Sequence, residues 1–194
     1  MELIYEFNPW WEHENWERRD EDIEKWKLMK IRWIPRWLRN ISLKPFSLNF
    51  VVGPRQVGKT TGIKLLIRKL IKNGINPYSI FYLNLEVLTD ISEFREILNW
   101  YMKMKIENKI EKSLIFLDEV TKVRGWHRIL KAFIDLGKLK NDVIIASGSS
   151  SLKILKYAEA FPGRRGAGKD IVVLPLSFPE YLEALSIDIK KPIT

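Results

Sequence analysis

Residues 53–60 read Gly53-Pro54-Arg55-Gln56-Val57-Gly58-Lys59-Thr60, which fits the Gly-x4-Gly-Lys-Ser/Thr pattern of a phosphate-binding loop at every fixed position. Each residue type has a mechanical task. The glycines let the backbone curl so that consecutive amide N–H groups face inward and cradle phosphate oxygens. Lys59 carries a mobile charge toward the β- and γ-phosphates, and the Thr60 hydroxyl is a ligand for Mg²⁺. The flanks agree with the loop. Leu48 to Val52 is a short apolar run suited to a buried strand, and Thr61 to Lys72 carries Ile63, Leu66, Ile67, Leu70 and Ile71 at helical spacing. Strand, loop and helix in that order aim the helix N-terminus at the phosphates. The segment Gly53 to Thr61 is thus the expected binding site of a nucleoside triphosphate, with ATP and Mg²⁺ as the expected pair. An Asn/Thr-Lys-x-Asp segment, which would mark guanine preference, does not occur.

Downstream, Ser113-Leu-Ile-Phe-Leu-Asp118-Glu119-Val120 describes a buried strand that delivers two carboxylates to its carboxyl end. In an open α/β sheet the ligand crevice lies at those ends. Asp118 is expected to hold the Mg²⁺ shell, and Glu119 to orient and polarise the attacking water. Glu86, after the apolar run Tyr82 to Leu85, competes with Glu119 for the base role, while Asp90 reads as a helix N-terminal acid. The run Asp142 to Ser149 ends in hydroxyls. Ser147 is the first choice for a polar sensor of the γ-phosphate and Ser149 the second, with a helix N-cap as the ordinary role of Ser149 to Ser151. Pro162-Gly-Arg-Arg-Gly-Ala-Gly168 offers Arg164 on a glycine-bearing loop. An arginine brought to a γ-phosphate, in cis or from a second copy of the chain, stabilises transition-state charge.

Residues 46–175 alternate strand-like and helical patterns, which predicts a three-layer α/β/α P-loop fold on a parallel sheet. Strands are expected over 47–52, 79–85, 113–118, 142–147 and 171–174, and helices near 59–73, 91–111, 126–137 and 149–158. Residues 1–42 hold six of the eight tryptophans and nine acids against eight bases. Glu12 to Leu28 is read as helical, with Ile23 and Trp26 facing inward. So much indole demands burial, so 1–42 is expected to be an arm packed on a 43–176 core. One of its aromatics, or Arg32, is expected beside the adenine. Residues 177–194 read as the start of a further C-terminal region.

The formal net charge of +9 lies downstream of residue 42. Lys103, Lys105, Lys109 and Lys112 form one basic cluster, and Arg124, Arg128 and Lys131 another. DNA or RNA contact and an ordinary solvated face are the two readings of these clusters. Without cysteine there are no disulfides or thiolate metal sites. No apolar run approaches the ~18 residues of a membrane span, and no signal segment is present, so a cytoplasmic location is expected. His13 and His127 share no metal-ligand spacing.

Taken together, Asn8-Pro9-Trp10-Trp11, the loop through Thr61, Leu117-Asp118-Glu119, Ser147-Gly148-Ser149-Ser150, Gly163-Arg164 and Leu174-Pro175-Leu176-Ser177-Phe178 resemble the AAA+-like ATPases of the AAA_14 type. The resemblance implies strand order 5-1-4-3-2, Ser147 where the family often has threonine, and Arg164 as the family's arginine. It also implies a longer C-terminal region than the one present, so the chain reads as truncated. The function expected is Mg²⁺-dependent ATP binding and hydrolysis that powers or switches an attached domain or partner, with a homo-oligomer formed through Arg164. The alternatives are a nucleic-acid-associated nucleotide switch and a small-molecule P-loop kinase, against which the adjacent Asp118-Glu119 pair argues.

Overall fold

The computed structural model describes residues 2–149, 154 and 161–185. The helix read over 149–158 falls almost wholly outside these residues, as does the end of the segment read as 177–194. Five strands form one sheet: β1 (Ser47–Val52), β2 (Ile80–Asn84), β3 (Leu114–Asp118), β4 (Val143–Gly148) and β5 (Asp170–Val172). Every pairing is parallel, and the order is β2-β3-β4-β1-β5, as expected from the resemblance. The observed strand bounds lie within one or two residues of those read from the sequence. All six residues of β1 and of β4 are buried, because a parallel sheet covered on both faces leaves no side of its central strands in water.

Among the described residues, the helices with defined bounds are α1 (Glu2–Phe7), α2 (Glu21–Leu28), α3 (Lys59–Lys72), α4 (Ile91–Glu107), α5 (Trp126–Asp135) and α6 (Phe178–Ala184). Helix α3 presses Ile63, Leu66, Ile67 and Leu70 onto the sheet. It stops at Asn73, whose N–H returns to Lys69 and Leu70, before Gly74 in the left-handed region. Asp90 caps α4 by accepting from the Ser92 and Glu93 amides, and α5 buries Trp126, Ile129, Leu130 and Phe133.

Residues before β1 form an arm that wraps the sheet rather than one long helix. Glu12 to Leu28 is broken by a turn at Trp16–Arg18, after which Asp20 caps α2 by accepting from the Ile23 N–H at 3.0 Å. The break lets Trp16 turn into the core beside Trp10, their ring centroids 5.2 Å apart. Strand β2 is the edge of the sheet, and an edge exposes a row of backbone groups that need partners. The Asn8-Pro9-Trp10-Trp11 segment supplies them. Asn8 accepts from the Tyr82 N–H at 2.7 Å and donates to the Tyr82 carbonyl at 2.9 Å, while the Trp10 and Trp11 indoles each donate to the Ile80 carbonyl at 3.0 Å.

Charges tie the same arm to α3. Lys64, Arg68 and Lys72, one turn apart on the outer face of α3, meet Asp20 and Glu17 of the arm at 2.9, 2.9 and 3.3 Å. Lys105 corrects one sequence reading: it belongs to no basic surface, because it is buried against Asp142. A lysine can be buried when a carboxylate is buried with it.

Burial alone would raise the Glu17 pKa, but hydrogen bonds and charge from Arg68, Lys27 and Lys72 outweigh it and bring it from 4.5 down to about 2. A carboxyl group depressed on folding stabilises the fold above its unfolded pKa, and that stability is lost as pH falls through the folded value. Stability is therefore expected to decline between pH 4.5 and about 2, by on the order of 1 kcal/mol from this group once solvent screening of its partly exposed partners is allowed for. Glu17→Gln is expected to be less stable at neutral pH and to lose this part of the acid sensitivity. Denaturant unfolding followed by tryptophan fluorescence across that range tests both.

Candidate functional site

The phosphate loop leaves the carboxyl end of β1 and enters α3, with Gln56 and Gly58 both in the left-handed region at φ 62° and 82°. Left-handed residues alternating with right-handed ones turn consecutive amides to the same side, which makes an anion cradle. Gly53 is obligatory for a different reason. The chain leaving β5 crosses so closely that a Cβ at Gly53 would lie 2.1 Å from the Val173 carbonyl oxygen. Lys59 is buried, and its Nζ donates to the carbonyls of Gly53 and Pro54 at 2.9 and 2.7 Å. Burial lowers its pKa, and the nearby Glu119 and Asp118 charges oppose that shift.

Asp118 ends β3 fully buried. Its Oδ2 accepts from the Thr60 hydroxyl at 2.6 Å and the Tyr82 hydroxyl at 3.1 Å. Its Oδ1 accepts from the Ser147 hydroxyl and from the Glu119 N–H. Glu119 adopts φ 49°, ψ 41°, a left-handed conformation that a side-chain-bearing residue takes at a cost of about 1–3 kcal/mol. Successive strand residues point to opposite faces. The left-handed turn re-aims the second carboxylate, so that Glu119 lines the same crevice as Lys59 and Thr60. Its Oε2 accepts from the Ser149 hydroxyl at 3.1 Å.

Glu86 also lines this crevice, but as an exposed side chain ion-paired to Lys122. The two hydroxyls considered as sensors divide between the two carboxylates: Ser147 is fully buried on Asp118, and Ser149 meets Glu119. Thr60 and Asp118 place a hydroxyl and a carboxylate side by side. That hard-oxygen pair suits Mg²⁺, which takes one or two protein ligands and completes its shell with water and substrate phosphate. Among the described residues no group of three or more His, Cys, Asp or Glu could hold a metal ion.

Two cavities meet across the loop. The polar one, about 480 Å³, holds Lys59, Thr60, Glu86, Glu119 and Lys122. The apolar one, about 510 Å³, is walled by Trp26, Ile31, Trp33 and Trp37 of the arm and by Leu174, Leu176 and Tyr181 beyond β5. Arg55, Gln56, Gly58 and Thr61 line both. Arg32 is exposed and outside the lining, whereas Arg36 is part of it and pairs with Glu183 of α6. Trp37 lies directly on the loop helix: a Cβ at Gly62 would come within 2.5 Å of its ring.

Arg164 is not brought to the loop. It hydrogen-bonds Asp135 and the Pro162 carbonyl in a cavity shared with Phe46 and Leu139, at the end of the sheet where β1 begins. Six strand residues, about 20 Å, separate that end from the loop. The in-chain route read from the sequence is thereby corrected, because Gly166 and Arg165 are pinned to the start of β1 through the Ser47–Gly166 bridge and the Leu48 N–H bond to the Arg165 carbonyl.

A cradle at the carboxyl end of a parallel β1, opening into a helix and facing Asp118 at the end of β3 and Glu119 just beyond it, defines a P-loop nucleotide-binding domain. The chain belongs to the AAA_14 family of AAA domains, whose model matches residues 46–182, and it is thus a domain of the AAA-type ATPase group. An uncharacterized protein of Methanocaldococcus jannaschii is 30% identical over 78% of this chain and 32% of its own length. One of Haemophilus influenzae is 27% identical over 73% of this chain and 34% of its own. The chain thus spans about a third of the length of these curated relatives. Among solved structures, the Aeropyrum pernix ORC2 protein in ADPNP–ADP complexes superposes with a TM-score of 0.54 at 13% identity, covering 78% of this chain and 49% of that one. Hsp104 superposes with a TM-score of 0.53 at 22% identity, covering 86% and 31%. These likenesses show the fold. Among the described residues no helix is long and apolar enough to cross a membrane.

Sequence reading missed the Tyr82 hydroxyl on Asp118 and the hydrophobic contribution of residues 174–181. Tyr82 carried a signal: it lies on the strand beside β3, two residues before the end of β2. Residues 174–181 carried none, because their place depends on where the chain goes after β5. Gly62→Ala is expected to push Trp37 off the loop helix. Strain of about 1–3 kcal/mol should appear as a lower denaturation midpoint, together with a shifted tryptophan emission.

Proposed function

We propose that this domain binds Mg²⁺-ATP and hydrolyses it to power or switch an attached domain or partner. The observation that carries the reading is the continuity of an aromatic-walled cavity and a charged cavity across one phosphate cradle. A base fits the first, whose lining includes Trp37 and Trp33, and base–aromatic stacking is worth about 1–3 kcal/mol. A triphosphate fits the second, over the loop amides and Lys59.

In this reading Gly53, Pro54, Arg55, Gln56, Val57 and Gly58 wrap the phosphates. Lys59 moves from its loop carbonyls to the β- and γ-phosphates. Thr60 and Asp118 hold Mg²⁺, which supplies charge neutralisation at the phosphates when bound, and Thr61 lies under the nucleotide. Ser147 keeps Asp118 in one orientation. Glu119 orients a water and accepts its proton as the water oxygen bonds to the γ-phosphorus and the bridging P–O bond breaks toward ADP. Electrostatic positioning supplies most of the rate in such sites. Glu119 is preferred to Glu86 as base because Glu86 is already committed to Lys122. Arg164, facing away from its own loop, acts in this reading on the nucleotide of a second copy, which makes a homo-oligomer the active form.

Glu119→Gln is expected to keep ATP binding within a few-fold of the unsubstituted chain and to lower phosphate release by at least about 100-fold, whereas Glu86→Gln leaves release within a few-fold. Nucleotide titration and a phosphate-release assay separate the two carboxylates, and the reverse pattern would reassign the base. For Arg164, each of Arg164→Ala and Lys59→Ala alone is expected to be inactive, and mixing them to restore hydrolysis. Silence of the mixture would remove the second-copy role.

A further inference from the structure

Tyr82 occupies a position that the hydrolysis scheme does not use. It pairs with Phe116 on β3, so Asp118, two residues on, is its diagonal neighbour on the same face of the sheet. Diagonal neighbours are within reach of an aromatic side chain, and the Tyr82 hydroxyl donates to Asp118 Oδ2 at 3.1 Å, the oxygen that also accepts from Thr60. Tyr82 is almost fully buried. A carboxylate can only accept, so the phenolic O–H is the donor of this pair.

Its ring and backbone are fixed from outside the sheet. Lys64 Nζ sits 3.9 Å from the centroid of the Tyr82 ring and 5.2 Å from that of Trp10, and it is paired with Asp20, both ends of the pair being buried. Asn8 holds the Tyr82 backbone on both sides, through its N–H and its carbonyl. A buried tyrosine needs some acceptor, so the bond to Asp118 could serve only the tyrosine. The geometry favours service in the other direction. Thr60 donates to the same Oδ2, at 2.6 Å, but a threonine hydroxyl that ligates Mg²⁺ gives its oxygen to the cation, and Tyr82 is then the side-chain donor that stays on Oδ2.

We propose that Tyr82 is a positioning residue for Asp118, clamped by the Asn8, Asp20 and Lys64 side chains, so that the N-terminal arm sets the affinity of the nucleotide site for its divalent cation. The inference rests on the Mg²⁺-nucleotide reading above. Groups that orient metal-ligating carboxylates change metal affinity by about 10–100-fold when removed.

The test is binding of a fluorescent ATP analogue to the full chain and to Tyr82→Phe, in EDTA and across a Mg²⁺ titration, with thermal unfolding run in parallel. The expected result is a Mg²⁺ midpoint raised about tenfold, with the EDTA affinity unchanged within about twofold and the fold intact. A merely structural tyrosine would weaken both affinities together or leave the midpoint where it was, and either result overturns the inference. Nucleotide binding by the unsubstituted chain that does not respond to Mg²⁺ overturns the metal reading itself, and the positioning role falls with it.

Discussion

A single fully buried carboxylate, Asp118, joins the parts of this domain. Removing a charge from water is expensive, and a buried carboxylate persists only where donors replace its hydration. Four do so here: the hydroxyls of Thr60, Tyr82 and Ser147 and the N–H of Glu119. They come from the loop helix, from β2, from β4 and from the turn after β3. The ends of three adjacent strands and the start of α3 therefore meet at one residue. Displacing any of these elements leaves part of the charge unpaired, which links the stability of the sheet to the geometry of the site.

The arm solves a second constraint with the same economy of parts. A parallel sheet of order β2-β3-β4-β1-β5 leaves β2 as an edge, and the Asn8, Trp10 and Trp11 side chains take up its outward backbone groups at Ile80 and Tyr82. Asparagine suits this task because its amide carries a donor and an acceptor in the spacing of a peptide group. The indoles add an N–H to a large apolar face, so one side chain both closes the edge and covers the core. Acids at Glu17 and Asp20 then meet the basic stripe of α3. The helix that begins at the phosphate loop is thus covered by the arm along its outer face.

What was legible in the sequence was local. The loop at Gly53 to Thr60, the apolar strand runs and the Asp118-Glu119 pair are each written in a few consecutive residues, because strand and helix periodicity and turn chemistry are short-range. The strand order was available only through the family resemblance. Readings failed where the outcome depended on partners far away in the chain. Lys105 looked like surface charge until Asp142, 37 residues on, buried with it. Arg164 looked free to swing, but the pairing of its loop to the start of β1 fixes it at the opposite end of the sheet from the phosphates. Glu12 to Leu28 had helical composition, but the demand to bury Trp16 and the cap at Asp20 broke it.

The apolar cavity beside the loop has a consequence for how the domain can transmit a signal. Besides the phosphate loop and the start of α3, it has two walls, both outside the sheet. One is the arm from Trp26 to Trp37, and the other is the stretch from Leu174 to Tyr181, with Arg36 and Glu183 paired between them. Leu174, Leu176, Phe178 and Tyr181 remain substantially exposed, so this second wall is weakly packed on its own. Apolar surface brought between two such walls stabilises both only while it is present. A ring placed there favours the arrangement in which arm and α6 face each other, and its departure removes that preference. In the proposed reading, a base in this cavity would couple the arm to α6.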